Sequence, residues 1–144
     1  MIRAARTEEA AELSALARAA FAPYAPAIGR MPAPALQDFP AAIAGGNVWV
    51  AGRPPRGYVV AFAKAGAWFL ENVAVAPVAQ GQGMGQTLIA FAEEEGRRRG
   101  FDRITLYTNA KMAAPLALYT ALGYTETGRR REDGFDRVYF ERRL

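Results

Sequence analysis

The chain has 144 residues, 51% of them hydrophobic, and a net charge of +4, which predicts a single globular domain over 1–144. It contains no Cys and no His, and its only Ser, Ser14, falls inside the first expected helix. Disulfides, thiolate nucleophiles, imidazole bases, zinc-thiolate sites and a Ser-His-Asp hydrolase are thereby excluded, leaving carboxylates, Tyr, Lys, Arg and backbone groups for any chemistry.

In chain order, residues 2–6 read as a short strand. Thr7 is then expected to N-cap a helix whose apolar positions Leu13, Leu16, Ala17, Ala20 and Phe21 follow helical spacing. The Pro- and Gly-studded stretch 22–35 breaks that helix, and 35–46 reads as a second short helix ended by glycine. Runs 47–52, 57–64 and 67–75 are strand candidates joined by short turns, as in an antiparallel meander. Residues 84–100 read as a helix, 103–109 as a strand, and 113–124 as a helix stopped at Gly123. A terminal hairpin over 124–144 turns at Asp133-Gly134. The resulting order, β-α-α-β-β-β-α-β-α-β-β, is that of an α/β (α+β) domain. Strand 67–75, helix 84–99 and strand 103–109 have the lengths for a right-handed parallel crossover.

Charge is spread unevenly. Residues 1–96 carry 7 basic and 8 acidic groups, whereas 97–144 carry 11 basic and 6 acidic. A basic C-terminal third suits nucleic acid, an anionic cofactor or plain solubility. The chain has no RNP-like aromatic motif and no basic recognition helix, so no nucleic-acid partner is expected. No apolar run approaches the roughly 18 residues of a membrane span. The N-terminal residues lack the apolar core of a signal peptide, and a cytoplasmic, non-membrane protein is the expectation.

The strongest local signal is Gln80-Gly81-Gln82-Gly83-Met84-Gly85, set between a strand and a helix. A P-loop would need Gly-Lys-Ser/Thr, which the chain lacks. A dinucleotide fingerprint would need a third glycine where Gln86 stands. Physically, Q-x-x-G-x-G at a helix start presents free N–H groups and the positive end of a helix dipole to an anion. The alternative is a mobile Gly-rich turn. With these flanks, Q-x-x-G-x-G resembles the acetyl-CoA loop of the GNAT (GCN5-related) N-acetyltransferases. Residues 117–124, ALYTALGY, resemble the second hallmark of that family, a helix carrying Tyr before L-G-F/Y, and the element order matches the family fold across essentially the whole chain.

The resemblance implies a GNAT-like fold with a central mixed, mostly antiparallel twisted sheet. It also implies an acetyl-CoA-dependent N-acetyltransferase, with acetyl-CoA as acyl donor and no metal. A primary amine, on a small molecule or a peptide, would attack the thioester directly. That scheme suits a chain without Cys, His or a usable Ser. Cofactor contacts would come from Val73, Ala74 and Val75 and from Gln80, Gly81, Gln82, Gly83, Met84 and Gly85. The position of the family's CoA-contacting Asn is Met112 here. Asn109 at the strand end is the candidate substitute, with a turn-forming Asn as the equal alternative. Tyr119 matches the family tyrosine that serves the leaving thiolate; a core aromatic is the plainer reading.

Glu71 is the candidate base. It is the only acidic residue between Asp38 and Glu93, in an otherwise apolar strand where an unpaired carboxylate is costly. A structural Glu paired with an arginine is the alternative. By period 2 it should share a face with Val73 and Val75. Tyr24, Arg30, Asp38 and Phe39, in the region that usually shapes the acceptor site, are candidate substrate contacts; a rigid Pro-rich connector competes with that role. A non-catalytic acyl-CoA-binding regulatory module is the other functional class. Dimers are common in the family, but no stretch announces an interface, so a homodimer is left open.

Overall fold

The computed structural model describes residues Met1 to Leu144. Seven strands form one sheet: β1 (Ile2–Ala4), β2 (Val48–Ala51), β3 (Gly57–Lys64), β4 (Ala67–Val75), β5 (Arg103–Asn109), β6 (Thr125–Glu132) and β7 (Phe135–Arg143). The helices are α1 (Ala10–Phe21), α2 (Ala25–Ile28), α3 (Phe39–Ala44), α4 (Met84–Arg98) and α5 (Ala113–Ala121). The strand order is β1-β2-β3-β4-β5-β7-β6, and only the β4–β5 pair is parallel. The sheet is thus mixed and mostly antiparallel, as expected.

Local chemistry accounts for most boundaries. The first helix begins differently from the expectation, because Thr7 is not its cap. The Arg6 amide donates to the Glu9 carboxylate at 2.8 Å, and a 3-10 turn over Thr7–Glu9 leads into α1. The second helix is shorter than 35–46: Asp38 caps α3 by accepting from the Ala41 amide at 3.1 Å, and residues before it form α2 and a separate 3-10 turn over Ala33–Leu36. The last hairpin turns through Asp133 and Gly134, whose φ values of 52° and 78° suit a type I′ turn.

Side-chain alternation divides the core between the two faces of the sheet. Trp49 and Ala51 join Val59, Trp68, Leu88, Ile89 and Leu106 under α4 and α5. Val48 and Val50 join Tyr58, Val60, Leu13 and Phe39 under α1 and α3. Gly96 of α4 sits against Trp68, whose indole Nε1 donates to the Ala92 carbonyl at 2.9 Å.

The functional geometry comes from an interruption of this regularity. Across β3–β4, Val60 faces Asn72 while the next residue, Ala61, faces Leu70, so Glu71 is left over as a β-bulge. The alternation of β4 slips there: Val73 and Val75 pack on the same cluster as Trp68 and Leu70. Along its other edge, β4 pairs with β5 only at Trp68–Ile104 and Phe69–Thr105. Beyond those residues β4 stays with β3 and β5 with β7, so the sheet splits open.

Candidate active site

The split is the mouth of a cleft of about 280 Å³, lined by Leu70–Val75, Tyr107–Asn109, Gln80, Gly85, Ile89 and Tyr119 among others. It passes through the plane of the sheet. Ile89, Leu70 and Tyr119 belong to the α4–α5 side. Phe21, Ala74 and Met112 belong to the α1 side, where Tyr24 and Pro32–Pro34 also reach the cleft. Two reactants entering from opposite faces would meet between β4 and β5.

On the α4 side, no backbone amide from Gly81 through Gln86 donates a hydrogen bond within the protein; the first bond of the helix runs from Thr87 to the Gly83 carbonyl. Gly81 and Gly83 both adopt φ of 81°, a left-handed conformation that suits glycine, and a Cβ on either would point into open space. The result is a row of unspent donors at the positive end of a four-turn helix. Gln80 fastens this loop to the sheet, its Nε2 donating to the Val75 carbonyl at 3.0 Å. Val73, Ala74, Val75, Gln80 and Gly85 line the cleft, Gly81, Gln82 and Gly83 are exposed beside it, and Met84 packs against the α4-side core.

Tyr119 is placed by the end of its own helix. The Tyr124 amide donates to the Tyr119 carbonyl at 3.0 Å and the Gly123 amide to Thr120 at 3.1 Å, with Gly123 at φ 89°. This Schellman arrangement explains why the motif needs a glycine between its Leu and second Tyr. The Tyr119 ring is 94% buried, yet its hydroxyl has no protein partner and is not sealed from the cleft. Burial raises its pKa above the ordinary tyrosine value.

Glu71 is half-buried in the cleft and makes no ion pair or hydrogen bond with the protein, so the arginine partner of the structural alternative is absent. It does not share a face with Val73 and Val75, because the bulge intervenes. Its charge acts instead on Tyr107, which stacks on Phe69 at 5.8 Å across the opposite face. A bulged residue escapes the strand alternation, so its side chain is re-aimed into the opening.

Asn109 takes the turn-forming role on one side of its amide: its Oδ1 accepts from the Lys111 amide at 2.9 Å. It also lines the cleft. Of the four candidate substrate contacts only Tyr24 lines the cleft. Arg30 lies 3.7 Å over the Phe135 ring and donates to the Asp133 carbonyl, tying the connector to the hairpin. Asp38 is the α3 cap, and Phe39 is fully buried, edge-on to Tyr58 at 5.0 Å. The sequence pattern could not separate these roles, since all four sit in one irregular stretch.

Sequence reasoning missed Asn72, Tyr58 and Arg137. Buried Asn72 accepts from the Tyr58 hydroxyl at 2.9 Å and donates to the Pro34 carbonyl at 3.0 Å and to Gln37 Oε1 at 3.2 Å. It thereby pins the 3-10 turn that forms one cleft wall. A polar Asn beside Glu71 in an apolar strand was the available signal. Arg137 lines the cleft from β7, where nothing in an arginine-rich hairpin distinguishes it.

Residues 44–126 match the family model described as acetyltransferase (GNAT) domain. The [ribosomal protein bS18]-alanine N-acetyltransferase of Escherichia coli K12 is 40% identical over 62 residues, 43% of this chain. The match spans only 42% of that relative's length. Among solved structures, the PaiA N-acetyltransferase of Thermoplasma acidophilum, in complex with coenzyme A, superposes with a TM-score of 0.82 at 17% identity, covering 100% of this chain and 98% of the other. The ribosomal-protein-alanine N-acetyltransferase of Brucella melitensis gives 0.76 at 25% identity, covering 100% and 99%.

Proposed function

The chain belongs to the GNAT acetyltransferase family, and we propose that it transfers the acetyl group of acetyl-coenzyme A to a primary amine by direct attack. The observation that carries this reading is the run of unspent amides from Gly81 to Gln86 beside a cleft that continues to Tyr119 and Glu71. These amides and the open space beside Gly81 and Gly83 suit a pyrophosphate lying close to main chain. The edge of β4 at Val73–Val75, paired with no strand on the β5 side and engaged by Gln80 at the Val75 carbonyl, suits an extended amide-bearing arm running down to the split.

Acetyl-coenzyme A, when bound, supplies the activated acyl group and a sulfur leaving group. Glu71 accepts a proton from the acceptor ammonium, directly or through water, and so frees the attacking lone pair. The Tyr119 hydroxyl lies across the split, on the α4–α5 side. Its raised pKa, against roughly 8.5 for a thiol, makes it a hydrogen-bond donor to the sulfur that stays protonated through the reaction. The second amine proton, released as the C–N bond forms and the C–S bond breaks, balances the departing thiolate. Asn72 and Tyr58 hold the acceptor-side wall in place.

Names of the bacterial relatives that specify an alanine of a ribosomal protein put a polypeptide amine among the acceptors to test. The test of the donor site is calorimetric titration with acetyl-CoA, for the parent chain and for Gly83→Glu. Binding that is lost in a folded Gly83→Glu variant supports the reading. A folded parent that binds no acetyl-CoA overturns it.

A further inference from the structure

Arg137 projects from β7 into the cleft with its side chain only 11% exposed, yet its nearest carboxylates stand off at 3.5 Å (Asp133) and 3.6 Å (Glu132). Those distances are at or beyond the limit of a hydrogen bond. Both contacts are long ion pairs: Glu132 also accepts the Tyr139 hydroxyl, and the Asp133 side chain is 81% exposed in the hairpin turn, where water screens it. The guanidinium is held instead by aromatic faces, 4.4 Å above the Tyr107 ring and 5.9 Å from that of Phe135. A nearly buried guanidinium with so little hydrogen bonding is a site waiting for an anion.

What that anion belongs to follows from the sheet. Glu71 is on β4, Tyr107 on β5 and Arg137 on β7, and these strands are consecutive neighbours. Arg137 is in register with Asn109, two residues beyond the Tyr107–Tyr139 pair. Because β4 and β5 part beyond Phe69–Thr105, the backbones of β4 and β7 are here more than two strand spacings apart, over roughly 10 Å, with Tyr107 between them. The opposite charges of Glu71 and Arg137 both act on that tyrosine. The cleft thus sets one free carboxylate against one under-bonded guanidinium across a single aromatic ring. Its remaining acceptor-side walls, Phe21, Tyr24 and Pro32–Pro34, carry no charge.

We propose that the acceptor is an amine that itself carries a carboxylate, its ammonium presented to Glu71 and its carboxylate paired in the fork of Arg137. This rests on the N-acetyltransferase reading and names the acceptor class for the same cleft. A polyamine would place a second cation against Arg137, and a simple alkylamine would leave the guanidinium with only its two long carboxylate contacts. Free amino acids, dipeptides and polypeptide N-termini followed at once by Asp or Glu share the required chemistry.

Matched acceptor pairs test it: 4-aminobutyrate against butylamine, glycylglycine against glycylglycinamide, and the peptide amide Ala-Glu against Ala-Gln. In the parent enzyme the carboxylate member of at least one pair should have a kcat/KM at least about tenfold higher. The pair in which this happens tells the free amino acid and dipeptide from the acidic N-terminus. In Arg137→Gln that preference should vanish through a rise in acceptor KM, while acetyl-CoA binding by calorimetry and turnover of the neutral amine stay within about twofold. Arg137→Lys, which keeps charge but loses the fork, should fall between. Equal or better use of the neutral member in every pair overturns the proposal, and the parent chain alone decides this if the variants fail to fold. Acetyl-CoA binding with neutral-amine turnover would then leave the acetyltransferase reading intact. No binding of acetyl-CoA by the folded parent would bring down both.

Discussion

Tyr119 and Tyr124 pack edge to face with ring centroids 5.4 Å apart, but their hydroxyls have opposite fates. Tyr124 donates to buried Glu93 at 2.7 Å, and the same carboxylate oxygen takes Arg142 at 2.8 Å, locking α4 to β7. Tyr119 has no protein partner and faces the cleft. One motif therefore supplies a structural hydroxyl and an unspent one.

Removing each hydroxyl should separate the two roles. Tyr119→Phe should lower kcat by about 10²-fold, the lower range for removing one hydrogen-bond donor to charge developing in the transition state, with KM for acetyl-CoA and the unfolding midpoint unchanged. Tyr124→Phe should do the reverse, losing about 1–3 kcal/mol of stability from a broken buried hydrogen bond to a charged group. Steady-state kinetics and urea unfolding of the two variants check both halves.

Glu71 makes no ion pair, so its neutral isostere should fold as well as the parent. Glu71→Gln is expected to cut turnover about 10²-fold at neutral pH, with partial recovery at high pH as free amine becomes available without a base. Unchanged turnover with lowered thermal stability would return Glu71 to a structural role.

Gly96 is tightly placed, since a Cβ there would lie 2.7 Å from Trp68 Cδ1 and 2.8 Å from Leu144 Cδ1. Ala gains up to about 1 kcal/mol of helix propensity over Gly. Overpacking against an indole pinned to the Ala92 carbonyl costs about 1–3 kcal/mol. Gly96→Ala should therefore be destabilised on balance, read as a lower denaturant midpoint with an unchanged m-value.

Acid should weaken the N-terminal corner. The hydrogen bonds from Arg3, at 2.9 and 2.7 Å, are the main cause that lowers the Glu9 pKa from 4.5 to about 2. A carboxyl whose folded pKa is depressed binds its proton more readily when unfolded. Its stabilisation is complete above about pH 4.5 and is lost as the pH falls toward 2. In Glu95, burial opposes ionisation, but hydrogen bonds from Arg98 and Arg99 outweigh it and lower its pKa, adding to the same loss. Glu9→Gln should be less stable at neutral pH and show a shallower stability slope between pH 4.5 and 2, measured by thermal melts across that window.

What the sequence determined alone was whatever neighbours in the chain decide. Strands 57–64, 67–75 and 103–109 appear with the expected bounds, because Gly and Pro punctuate an alternating apolar pattern. The Asp133-Gly134 turn and the glycine stop before Tyr124 follow from left-handed conformations that few other residues tolerate. The Gly81–Gly85 loop was legible for the same reason. Tertiary structure alone decided the insertion of β7 between β5 and β6, the bulge at Glu71 and the split between β4 and β5. Which edge a strand pairs with is a competition among partners distant in sequence, and a bulge records the register that competition leaves behind. The same holds for side chains. Arg30 and Phe39 looked available for a substrate, yet one is taken by the hairpin and the other by the core. Arg137, unmarked among its arginine neighbours, is brought to the cleft only because β7 lies beside β5.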